Sequence, residues 1–90
     1  MDKVVITLVG MDGVGIIAKM CTYFAENRMN IIDIAQTTVR DVINMVMIVD
    51  ISPSSKGFDE IVKDMNDVSK DVKCMVAAVR YGNLKSIAEA

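Results

Sequence analysis

The sequence contains no histidine and no tryptophan, and it has one proline and only two cysteines. Without histidine, the commonest general base and the commonest nitrogen ligand are missing, which argues against imidazole-based catalysis and against a zinc site. Cys21 and Cys74 have no CxxC spacing, so they read as reduced, buried thiols of a cytoplasmic protein. Leucine is also scarce, with Leu8 and Leu84 alone in the chain. No apolar run is long enough for a membrane span. The N-terminus, with Asp2 beside Lys3, has no signal-peptide layout. Lys and Arg are spread singly and the formal net charge is −2, so no basic face for nucleic acid is expected. What the chain does have is an apolar share of 52%, carried by Val, Ile and eight Met. β-Branched residues suit a half-buried pleated surface, so the composition leans towards sheet. Ninety residues are read as one domain, 1–90, with a core of about 2–82 and a C-terminal tail. So small a body has much surface, and the apolar excess points to self-association.

The patterning gives an element order. Val4 to Val9 is a β-branched run ending at Gly10, a first strand. Ile16, Ile17, Met20, Cys21 and Phe24 recur at helical spacing, opposed by Lys19, Thr22 and Glu26, and the helix fades near Asn27-Arg28. A second strand runs from Asn30 to Val39. After the two-residue turn Arg40-Asp41, Val42 to Ile51 forms a third, so these two make an antiparallel hairpin. Ser52-Pro53-Ser54-Ser55 breaks the pattern, and Ser54 or Ser55 is placed to cap a second helix lined by Phe58, Ile61, Val62, Met65 and Val68. Val72 to Tyr81 reads as a fourth strand that Gly82 ends, before a helix-prone tail from Lys85 to Ala90.

The fold class expected is α+β, a ferredoxin-like βαββαβ sandwich: a four-stranded antiparallel sheet with two helices on one face. The other face then has no cover from its own chain. Yet on the third strand Ile43, Met45, Met47, Val49 and Ile51 fall on one side, and Val42, Val46 and Ile48 with Asn44 and Asp50 on the other, so both sides are mostly apolar. A sheet with a solvated face shows cleaner alternation, so a second copy, another subunit or a sheet edge extended across a dimer is the expected cover.

Gly10-Met11-Asp12-Gly13-Val14-Gly15 is the one glycine-dense stretch, and it admits several readings. Glycines there serve a tight strand-to-helix turn with no ligand. Gly13-Val14-Gly15-Ile16-Ile17-Ala18 matches the dinucleotide pattern GxGxxA, but a dinucleotide fold needs parallel βαβ units that this order lacks. The loop is also similar to the Gly-Val-Gly loop of acylphosphatases at the same point of this fold. That chemistry needs an arginine just after the loop, where Ile16-Ile17-Ala18 stand, and Asn44 alone cannot replace it. A fourth reading uses the amides and dipole of the helix start to hold a small carboxylate, with Asp12 accepting from an ammonium. Those two contacts are the minimum kit for a free amino acid. Asp12 also serves as a plain helix N-cap, and Asn30 as a turn residue, without any ligand.

Gly10-Met11-Asp12-Gly13-Val14-Gly15-Ile16-Ile17-Ala18, followed after one helix by Asn27-Arg28-Met29-Asn30-Ile31-Ile32-Asp33, resembles the ACT domain. The likeness covers essentially the whole chain, its first forty residues most specifically. Asn30 to Thr37 is similar to the short stand-alone forms and to the ACT halves of the glycine-cleavage transcriptional repressor. The resemblance implies amino-acid-responsive regulation by domains paired side by side, with ligands at the joint. It maps the loop acceptor onto Asp12, the helix-opening amides onto Val14, Gly15 and Ile16, and the strand-leading amide onto Asn30, which reaches the partner's ligand. The candidate ligand-binding set is Asp12, Gly13, Val14, Gly15, Ile16, Asn30 and Ile31. Gly13-Val14 stands where many members have Arg-Pro. The reading is a homodimeric or larger small-molecule sensor and not an enzyme, with no cofactor, no metal, no nucleic acid and no membrane partner, and with a protein target as a further partner. Its alternatives are a ligand-free dimerisation or docking module for a separate enzyme or regulator and, behind that, an acylphosphatase-like hydrolase.

Overall fold

The computed structural model describes residues 1–11 and 13–89. Its elements are β1 (Lys3–Gly10), α1 (Gly13–Glu26), β2 (Asn30–Val39), β3 (Val42–Asp50), α2 (Phe58–Val72), β4 (Met75–Arg80) and α3 (Tyr81–Glu89). The strands form one sheet in the order β2-β3-β1-β4, every neighbouring pair antiparallel. This is the expected βαββαβ sheet, extended by a third helix.

Alternation along β1 and β3 decides which face is packed. Val4, Ile6 and Leu8 of β1 and Met45, Met47 and Val49 of β3 are buried. They meet Ile16, Met20 and Phe24 of α1 and Ile61, Met65 and Val68 of α2 in one core cluster. No polar residue is buried among the described residues. Truncating a core side chain such as Phe24 to alanine therefore costs about 3–5 kcal/mol, in lost transfer energy and an unfilled cavity.

Both main helices end without glycine. Arg28 takes φ 59°, and Met29 N donates to Phe24 O at 2.9 Å while Arg28 N donates to Ala25 O. This is the paired closure of a left-handed C-terminal cap, with Met29 buried beyond it. At the end of α2, Lys73 has φ 53° and ψ 50°, and Cys74 N donates to Ser69 O at 3.1 Å. Arg40 in the β2–β3 hairpin also has positive φ, which tight hairpins need to match the strand twist.

Four expectations are corrected. The fourth strand begins at Met75, because Val72 still packs with the core as the last residue of α2 and Lys73 turns the chain. Neither Ser54 nor Ser55 caps α2. Ser54 Oγ accepts from Lys56 N in a local turn, and the N-cap is Gly57, without a side-chain bond. Gly82 ends no strand and lies inside α3. Cys21 is exposed while Cys74 is buried; the apolar stripe of α1 follows Ile16, Met20 and Phe24, with Tyr23 rather than Cys21 at its margin.

The second face of the sheet also differs from expectation. α3 touches β1 and β4, and Lys3 Nζ sits 4.5 Å from the centre of the Tyr81 ring. Val5, on this face because Val4 and Ile6 point into the core, is buried yet stands outside the core cluster. The chain thus covers one corner of its second face itself. Val9, Val42, Val46 and Met75 remain exposed there. So does all of β2, an edge strand ten residues long with a bulge between Ile31 and Asp33.

Candidate ligand site at the β1–α1 loop

The loop leaves β1 at Gly10, where the backbone comes close to its neighbours. A Cβ on Gly10 would lie 2.9 Å from Ile16 Cδ1 and 3.0 Å from Cys74 Cβ. Glycine here lets α1 and the start of β4 close over the end of β1. Gly15 is different: a Cβ there meets nothing within 4 Å. It lies within the first turn of α1, on an open helix face.

Of the predicted site residues, Asp12 lies outside the described residues. The backbone of Gly13 and Val14 opens α1, followed by exposed Gly15 and buried Ile16. The first turn of α1 carries no acidic side chain, so no carboxylate within it offsets the partial positive charge of the helix start. Gly15 and Ile16, with Lys19 and Val72, line a cavity of about 230 Å³ between the two helices. Lys19 Nζ is 2.9 Å from Asp71 Oδ2, and this exposed pair raises the lysine pKa. On the other side of the loop, Gly10 and Met11 border a larger cavity of about 500 Å³, reaching Ser69, Lys73 and Cys74.

Asn30 and Ile31 are exposed at the far end of the sheet. The registers pair Asn30 with Asp50 and Asp50 with Lys3, whereas Gly10 pairs with Ile43. Seven residue steps of β1 separate the two places, roughly 23 Å at the usual strand rise. One chain does not bring Asn30 and its own loop together. Asp33 and Gln36 are exposed, and Asp33 Oδ1 accepts from its neighbour Ile34 N.

The strongest polar cluster was not visible in the sequence, because it joins residues from both helices. Tyr23 Oη donates to Asp64 Oδ2 at 2.7 Å, and Lys56 Nζ bonds the same oxygen while lying 5.3 Å from the Tyr23 ring centre. Burial, and then the Asp64 carboxylate, push the Tyr23 phenol above its ordinary range; Lys56, and then Tyr23, hold Asp64 below its own. These contacts tie α1 to α2. Burial also raises the Cys74 thiol, which disfavours the nucleophilic thiolate. Among the described residues no cluster of His, Cys, Asp or Glu could hold a metal ion. No helix among them is long and apolar enough to cross a membrane.

A βαββαβ sandwich whose β1–α1 loop borders two cavities is thus the frame of the candidate site. A family model for the ACT domain matches residues 2–78. A UPF0237 protein of Bifidobacterium longum is 40% identical over 80 residues, 89% of each chain. A UPF0237 protein of Methanococcus maripaludis is 48% identical over 61 residues, 68% of each chain. Among solved structures, an ACT domain protein from Streptococcus pneumoniae aligns with a TM-score of 0.81 and 25% identity, over 92% of this chain and 93% of that one. A formyltetrahydrofolate deformylase from Pseudomonas syringae pv. tomato aligns with a TM-score of 0.80 at 14% identity, over 88% of this chain but 27% of its own; it shows the fold alone. The chain belongs to the ACT domain family, in its UPF0237 group. ACT domains are generally regulatory modules that bind small molecules and oligomerise.

Proposed function

We propose that the protein is a homo-oligomeric sensor of a free amino acid, regulatory and without catalysis of its own. The observation that carries this reading is the separation of the two halves of the candidate site. The helix-opening amides of Gly13 to Ile16 lie at one end of the sheet and Asn30 at the other. A single chain cannot close such a site. Two copies related by a two-fold axis with antiparallel sheets bring the loop of one to Asn30 and Ile31 of the other, twice. The amides and helix dipole suit the ligand carboxylate, Asp12 its ammonium, and the Asn30 side chain of the partner copy closes the joint. The long exposed edge of β2, with Ile31, Ile32 and Ile34 exposed, supports pairing of this kind, because such an edge left bare invites another strand.

Sensing requires that the ligand bind one assembly or conformation better than another, since equal affinity shifts nothing. Thermal-shift screening against the twenty amino acids tests the reading. A ligand at a hundred times its dissociation constant stabilises by about 2.7 kcal/mol, so one chemical class of amino acid should raise the melting temperature by several degrees. No shift with any of them would overturn the sensor and favour a ligand-free docking module.

A further inference from the structure

The larger cavity, about 500 Å³, is not part of the amino acid site proposed above. It lies where β1 ends, α2 ends and β4 begins, and its volume is in the range of small-molecule sites. Its apolar lining comes from Val9, Met11, Val42 and Met75, all exposed to solvent. Four such side chains around one concavity are an unusual thing to leave wet in a small domain. Lys70 and Lys73 complete the wall. Lys70 lies in the last turn of α2 and Lys73 is the left-handed residue that closes the helix, and both face the same cavity. Neither forms an ion pair among the described residues, and Asp71 between them is taken by Lys19. Lysines at a helix C-terminus offset its dipole whatever else they do. The apolar wall beside this pair gives the place its chemistry: two cations next to a hydrocarbon surface, in a chain whose net charge is −2.

We propose that this cavity binds an amphipathic carboxylate, with an aliphatic tail on Val9, Met11, Val42 and Met75 and a carboxylate held by Lys70 and Lys73. The ligand differs from an amino acid in having no ammonium to place, because the described residues of the lining offer no carboxylate to receive one. Cys74 lines the cavity as an inert, buried thiol, so no covalent step is involved. Because Gly10 and Met11 also lead into the amino acid loop, an occupant here touches the segment that positions that site.

Octanoate is the probe, with octanol and octylamine as uncharged and cationic matches, followed by amide chemical shifts in the nitrogen-15-labelled protein. Octanoate should shift Gly10, Met11, Lys73, Cys74 and Met75 saturably, and octanol and octylamine should bind about ten-fold more weakly. Lys70→Gln with Lys73→Gln, both at exposed positions, should weaken octanoate by a similar factor while leaving octanol unchanged. Octanol binding as well as octanoate to the wild type would overturn the proposal without recourse to any variant. So would octanoate shifts confined to Gly15, Ile16 and Lys19. A sensor that binds an amino acid yet ignores octanoate would refute this cavity alone; octanoate binding without any amino acid response would refute the loop site alone.

Discussion

At the Lys3–Asp50 end of the sheet, polar and aromatic groups lock the layers together; at the Gly10–Ile43 end, the layers meet at Gly10 and through the exposed Lys19–Asp71 pair, with cavities to either side. At the first end Asp50 Oδ1 accepts from Ser52 Oγ at 2.6 Å, from Ser52 N at 3.0 Å and from Asp2 N at 3.3 Å. Those bonds, led by the Ser52 hydroxyl, hold the Asp50 carboxyl below its ordinary range. The Tyr23–Asp64–Lys56 cluster joins the helices above it, Lys3 sits on Tyr81, and Arg80 lies 4.7 Å from the centre of the Phe58 ring. At the second end the loop, the exposed Val9, Met11, Val42 and Met75, and both cavities beside the loop come together. Binding loops belong at the less stable end of a fold. The difference teaches that this small domain concentrates its cross-links where the chain enters, so that the loop end is left adaptable.

The sharpest way to break this contrast is to fill the one crowded point of the open end. Gly10→Val should destabilise by about 1–3 kcal/mol, because Cys74 Cβ cannot swing away as a long side chain could. At this size each kcal/mol moves the melting point by about 4–8 °C, which calorimetry reads directly. An unchanged melting point would mean that β1 and β4 are not closed over Gly10.

Next in size is the tied end. Asp64→Asn removes the charged acceptor of Tyr23 and Lys56, and should cost about 1 kcal/mol after allowing for partial exposure. The sign with pH follows from the lowered folded pKa. The contribution is present above the carboxylate's unfolded value and lost as pH falls through the folded one. Denaturant melts of the two proteins should therefore differ at pH 7 and converge in acid. A gap that widened towards low pH would contradict the network.

Smaller, and opposite in sign, is Gly15→Ala. With nothing near its Cβ and a helical backbone, alanine should stabilise by about 0.5–1 kcal/mol. Loss of stability would reveal a neighbour at that helix face, such as a second copy. The least perturbing test uses the native thiols: Cys21 should react with a thiol reagent at least about ten-fold faster than Cys74, which is buried. Equal rates would mean that the end of α2 opens readily.

The sequence made the element order and both core helices legible because their apolar residues keep period 2 or period 3.6 without interruption; Val4-Ile6-Leu8 and Ile61-Met65-Val68 are examples. The end of α2 was hidden because Lys73 adopts the left-handed conformation without glycine to announce it, and so the strand was read three residues early. The tail was read as helix-prone from Lys85, but the start of α3 was hidden behind Gly82, a strong breaker in sequence that the helix tolerates at an exposed position. Within the candidate site, the glycine loop was legible from its composition, but the separate roles of Gly10 and Gly15 were not. Spacing in a chain says nothing of which Cβ would meet Cys74 from 64 residues away. Lys70, Lys73 and the apolar wall beside them come from three separate stretches of the chain, a kind of proximity that only the fold creates.

The central claim is that an amino acid site is shared between two copies, and subunit mixing tests it most directly. Asp12→Ala and Asn30→Ala are each purified and titrated calorimetrically with the amino acid that stabilises the wild type. Each alone should bind about ten- to a hundred-fold more weakly, the worth of a hydrogen bond to a charged group. When the two are mixed in equal amounts and allowed to exchange, half of the pairs are mixed and each mixed pair regains one intact site, so about a quarter of all sites should recover wild-type affinity. Recovery of that fraction is the result predicted. Two weak variants that stay weak after exchange would contradict it, because a site built within one chain gains nothing from a partner.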